Sequence, residues 1–217
     1  MSELPRLSPN HEAVLATLTS PERIQAYLDQ LQYPSGPENR CPQRVMDEGQ
    51  AHCLDGALFA AYALRRLGQP PVIIDLLPEP GMDDDHVLVI YRCGRGYGAL
   101  AKSNFTGLRM REPVYRSLRE LAMSYFDFFF NVDGVKTLRF YTRPIYLERL
   151  DRLNWMTSDS GVDAIEKYLY TLAKIPLLTA EMAAALTPAD PLTYRAGLLV
   201  VNQDGLYKPQ TSGSKPA

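Results

Sequence analysis

The chain has 217 residues, of which 46% are hydrophobic and 22% charged, the balance of a globular protein rather than a disordered or fibrous one. Its formal charge is −2, with both signs interspersed, which disfavours a nucleic-acid backbone or an anionic membrane surface as partner. No uncharged apolar run approaches bilayer length and residues 1–10 contain no apolar leader segment, so a cytoplasmic location is expected, without secretion or membrane insertion.

Residues 11–32 read as one or two short helices. Ser20, Pro21 and Glu22 supply an N-cap, a proline at the first helical position and an early carboxylate ahead of Ile24, Tyr27, Leu28 and Leu31. The run 33–42, YPSGPENRCP, is a loop. A second helix is expected over 52–67, rich in Ala and Leu and closed by Arg65, Arg66 and Gly68. Apolar on most faces, it belongs at the centre of a domain, with Cys53 in its first turn.

After Pro70 and Pro71, VIIDLL is a short β-branched strand. Residues 86–92 and 97–104 form a hairpin about a Gly94-Arg95 turn, and His86 opens its first strand. Downstream, 117–131 reads as an apolar helix, 136–147 as a strand with Pro144 near one end, and 163–172 as a helix. This order indicates an α+β fold in which a central helix packs on a mostly antiparallel sheet. One domain is expected over residues 1–209, with its core in about 41–147 and a disordered tail at 210–217.

Three cysteines, Cys41, Cys53 and Cys93, lack a disulfide-framework spacing and suit a reducing compartment. Cys53 is the one placed for chemistry. A helix N-terminus lowers a thiol's pKa and offers free backbone N–H groups to an oxyanion. Of the three histidines, His11 lies in the first helix and His52 points to a different side of the helix from Cys53. His86, after the acidic turn Asp83-Asp84-Asp85, is the better base.

The segment AHCLDGALFAAYALRRLG resembles the nucleophile helix of the transglutaminase-like superfamily, in which a Cys opens the helix and an Asp, here Asp55, commonly follows two positions later. DDDHVLVIYRCGRGYGAL is similar to that superfamily's His strand and hairpin. AHC, DDDHV, KSNFTGLRMREPVYRSLRELAMSYF and KTLRFY together resemble a group of uncharacterised bacterial proteins of transglutaminase-like type. The resemblance implies a papain-like fold and a thiol-dependent acyl transfer, foremost a peptidase or amidase, acting on a peptide, protein or small amide or ester, with no cofactor.

The superfamily's third residue, an Asp on the second hairpin strand, falls at Ala101 in the register of a Gly94-Arg95 turn. Pairing about that turn puts Ser103 opposite His86 on the same face, while Asn104 is the more familiar imidazole partner but alternates to the other face. Either is placed to orient the ring, and Asp83, Asp84 and Asp85 are further substitutes unless they form a solvated turn. Gln50 is a candidate oxyanion donor and Asp55 a supporting residue. If no group holds the imidazole, the alternative is a weak or inactive relative used as a binding protein.

Cys41, His52, Cys53, His86 and Cys93 contain enough soft ligands for zinc, but no paired spacing, so no metal is expected. Gly94, Gly96 and Gly98 join two strands and open no helix, which argues for a turn over a phosphate loop. Arg109, Arg111, Arg116 and Arg119 are placed to bind an anion or to pair with Glu112 and Glu120, the second being the expectation. The aromatic run Tyr125, Phe126, Phe128, Phe129 and Phe130 is expected mainly in the core.

Overall fold

The computed structural model describes residues 4–207. The expected tail, 210–217, lies outside them.

The N-terminal segment forms two helices, α1 (Pro9–Thr17) and α2 (Pro21–Gln30), each with a serine N-cap and a proline in its first turn. A short helix unforeseen in the sequence reading, α3 (Pro42–Glu48), follows and ends at Gly49 in the left-handed conformation. The central helix α4 (Cys53–Arg66) starts one residue after the expected N-terminus. From Leu54 to Arg65 every residue on it is buried.

The strands are β1 (Val72–Pro78), β2 (His86–Cys93), β3 (Gly96–Leu100), β4 (Arg111–Tyr115), β5 (Leu138–Thr142), β6 (Ile145–Tyr146) and β7 (Lys174–Pro176). They form one seven-stranded antiparallel sheet in the order β4-β3-β2-β1-β5-β7, with β6 also paired to β1. With the flanking helices this is a mixed, α+β architecture.

Strand alternation divides the core. Ile73, Val87, Val89 and Leu100 pack with α4, α2 and the later helix α6 (Asp159–Leu169) on one face. Ile74, Leu76, Leu88, Ile90 and Ala101 pack on the other face with Leu108, Leu121 of α5 (Leu118–Met123), Tyr125 and Phe129.

Three expectations change. The helix expected over 117–131 stops at Met123 and continues as a 3-10 turn at Phe126–Phe128, because its bulky neighbours leave in different directions: Tyr125, Phe129 and Phe130 are buried, Phe128 exposed. The strand expected over 136–147 splits into β5 and β6 at Arg143-Pro144, since proline has no N–H for the ladder. The second hairpin strand ends at Leu100. There the Gln25 side chain takes both backbone groups of Ala101, donating to its carbonyl at 3.0 Å and accepting from its N–H at 3.1 Å. Among the described residues no helix is long and apolar enough to cross a membrane.

Candidate functional site

Cys53 occupies the first position of α4 and, as a partly exposed residue, lines a cleft of about 380 Å³ together with Tyr33, His52, Asp84, Asp85, Glu166 and Tyr170. The Sγ makes a long contact, 3.9 Å, to the carbonyl oxygen of Asp85. Surrounding protein atoms and then Asp85 push the thiol well above its usual pKa, so the proton stays on sulfur although the residue lines the cleft. The helix N-terminus is outweighed.

His86 does not meet that thiol. The hairpin pairs Cys93 with Gly96 and Val89 with Leu100, the register a Gly94-Arg95 turn demands. In the neighbouring ladder His86 opposes Leu76, and Leu76 and Leu88 both belong to the core face away from α4. The imidazole is therefore buried on that far face, where its Nε2–H donates to the Leu108 carbonyl at 2.7 Å and its edge meets Tyr125. Burial lowers its pKa to about 4, the Leu108 carbonyl opposes that shift and Arg111 adds to it, which leaves a neutral ring. The expected Cys53–His86 pair is corrected on this geometry.

Neither expected orienter reaches the imidazole. Ser103 lies beyond the end of β3, and its Oγ accepts from the Phe105 N–H at 3.0 Å. Asn104 is buried and holds the C-terminal segment: its Nδ2 donates to Asn202 O (2.9 Å) and Gly205 O (3.3 Å), and its Oδ1 accepts from Asn202 N (2.8 Å). Asn202 in turn donates to the Tyr33 carbonyl at 2.8 Å. Through these bonds Asp204, Gly205, Leu206 and Tyr207 become one wall of the Cys53 cleft.

The two expected supporting residues are engaged elsewhere. Asp55 is buried and completes a capping box on α4, accepting from His52 N at 3.0 Å and from Arg40 N at 2.8 Å. Burial still raises its pKa to about 6. Gln50 does not line the cleft; its Oε1 accepts from Arg40 at 3.5 Å, and its backbone bridges Gln32.

His52 lines the cleft beside Cys53, with Nε2–H donating to Pro34 O at 3.2 Å and the ring edge on Tyr33. The acidic turn is not simply solvated. Asp85 is partly buried, and burial, then the neighbouring Asp84, raise it to about 6. Asp83 accepts from the Thr137 hydroxyl at 2.9 Å.

Asp75, a carboxylate inside the apolar strand VIIDLL, is a further residue of the site that periodicity alone does not single out. It is fully buried and pairs with Val87 on the α4 face; among the described residues neither oxygen has a well-formed hydrogen bond, although the His86 backbone N–H lies near enough to favour its charged form. Burial and then Asp85 raise its pKa well above the usual carboxyl range. Tyr33, Tyr170 and the residues after Asn202 carried no local signal.

The remaining candidates are structural. Cys41 and Cys93 are free thiols at the buried start of α3 and the exposed end of β2. Among the described residues no group of His, Cys, Asp and Glu is arranged to hold a metal ion. Arg111 stacks on Tyr125 at 3.9 Å and donates to Gly107 O, and Arg119 donates to Leu177 O. Arg109 pairs with Asp29 at 3.0 Å, so these three guanidinium groups take partners other than Glu112 and Glu120, while Arg116 meets the expected Glu120 through its backbone, its N–H donating to Oε2 at 2.9 Å. No protein-family model matches the chain, and no curated protein matches its sequence.

Proposed function

We propose that this chain is a transglutaminase-like binding protein, in which a nucleophile-type helix frames a cleft for a peptide or small-molecule ligand and the thiol does not turn over. The observation that carries this reading is the position of the His86 imidazole, on the sheet face away from α4 and bonded to Leu108 O. A second support is the electrostatic setting of Cys53. Burial first, and then the carboxyl of Asp85, disfavour a thiolate there. The papain-like character of the fold belongs to the same proposal, resting on the order Cys-helix, His-strand, hairpin and on α4 packed against an antiparallel sheet. Three free thiols fit a cytoplasmic protein.

A hydrolase reading keeps one favourable observation, the entry of Cys53 into a cleft at the N-terminus of a 14-residue helix. The pH dependence of iodoacetamide alkylation at Cys53, followed by mass spectrometry, separates the two. A binding protein gives an apparent thiol pKa above the free value of about 8.5, unchanged in His86→Ala. A thiolate persisting well below that value, and lost in the variant, would restore the enzyme.

A further inference from the structure

A second cleft, of about 360 Å³, lies on the other side of Tyr33 and is lined by Asp29, Gln32, Lys102, Ser103, Arg109 and Asn202, among others. It faces no residue of the chemistry considered above except Ser103 and Asn104. Lys102 is at its base and is buried, a rare state for an ammonium without a paired carboxylate. The fold makes room for it. At Gly56 of α4 a Cβ would stand 2.4 Å from the Cβ of Lys102, so the central helix carries a glycine where this side chain passes.

The Lys102 Nζ donates to the Leu31 carbonyl, itself on the wall of the cleft. An ammonium has three donors, and this is its one protein acceptor among the described residues. Burial lowers its pKa to about 8, only partly offset by Asp29, while Arg109 lowers it further. Arg109 stands at the rim, half-exposed, with its guanidinium 3.0 Å from Asp29 and its Nε donating to Thr106 O. Two cations against one carboxylate leave the cleft positive. The Ser103 hydroxyl, which accepts from Phe105 N, keeps its own proton for donation.

We propose that this cleft is a binding site for a small oxyanion, a carboxylate or a phosphate, held by Lys102 from below and by Arg109 and Ser103 from the rim. A lysine serving only to tie the Leu31 carbonyl would spend a buried charge on one neutral acceptor. An anion supplies the missing charge and takes up the remaining donors. The site is independent of any thiol chemistry at Cys53.

The test is calorimetric titration of the full chain at low salt with inorganic phosphate and, separately, succinate, combined with amide shift mapping by NMR. Saturable binding that shifts the Lys102 and Ser103 amides is expected. It should be weakened by about tenfold or more in Lys102→Met and by roughly threefold to tenfold in Arg109→Gln, the loss of one charge-assisted donor in each. Tighter binding of phosphate than of succinate assigns a phosphate ligand, and the reverse a carboxylate. If Lys102→Met does not fold, Arg109→Gln and Ser103→Ala carry the test. The proposal is overturned by the absence of saturable binding of either anion up to about 20 mM, or by binding that these rim variants leave unchanged.

Discussion

His86 shows what one residue's register decides. An imidazole opposite Leu76 shares the face of Leu76, and from there it cannot take the proton of a thiol on the helix that packs on the other face. Buried and neutral, the ring has a folded-state pKa of about 4 against an unfolded value of about 6.5. Its contribution to stability is therefore complete above about pH 6.5 and is lost as pH falls toward 4, by up to about 3 kcal/mol at full protonation. His86→Gln keeps a donor for Leu108 O but does not titrate. Thermal unfolding from pH 7 to pH 4 should show a shallower acid limb in the variant, and parallel curves would mean that the ring charges freely in the folded state.

At the scale of elements, the hairpin behaves as its turn dictates until a distant side chain interrupts it. Gln25 of α2 occupies the backbone of Ala101, so β3 stops short and the next residues leave the sheet. Asn104 is thereby free to hold the C-terminal segment over the Cys53 cleft through three hydrogen bonds. Asn104→Ala should cost about 1–3 kcal/mol in overall stability, the loss expected for unpaired buried groups. Its sharper signature is local. Alkylation of Cys53 at fixed pH should accelerate several-fold relative to the parent, and limited proteolysis should cut near Asn202 first, a pattern that a uniform loss of stability would not produce.

At the scale of the molecule, the sheet is buried between two apolar layers, and polar locks join parts of the chain that the layers alone would not align. The clearest is a forked ion pair between Arg65 at the end of α4 and Asp151, with both nitrogen–oxygen distances at 2.9 Å. The Trp155 indole donates to the same carboxylate at 3.2 Å. Asp151→Asn should destabilise the fold by about 1–3 kcal/mol, because it removes the charge from a forked, charge-assisted pair. Denaturant unfolding followed by fluorescence of Trp155, the only tryptophan, measures it directly. A loss below about 1 kcal/mol would place the lock at the level of an ordinary surface pair.

Periodicity and turn chemistry by themselves determined the paired helices before residue 32, the buried helix opened by Cys53, and the hairpin with its register about Gly94 and Arg95. They also determined that His86 and Ala101 would share a face, since alternation along a strand is local. Which face received α4 was decided only by the tertiary structure. So were the place where β3 ends and the identity of the residues that close the cleft. Those outcomes rest on contacts such as Gln25 to Ala101, 76 residues apart, and Asn104 to Asn202, 98 apart. A side chain bonding a remote backbone leaves no pattern near either partner, and two faces of one sheet are equally apolar until something packs on them.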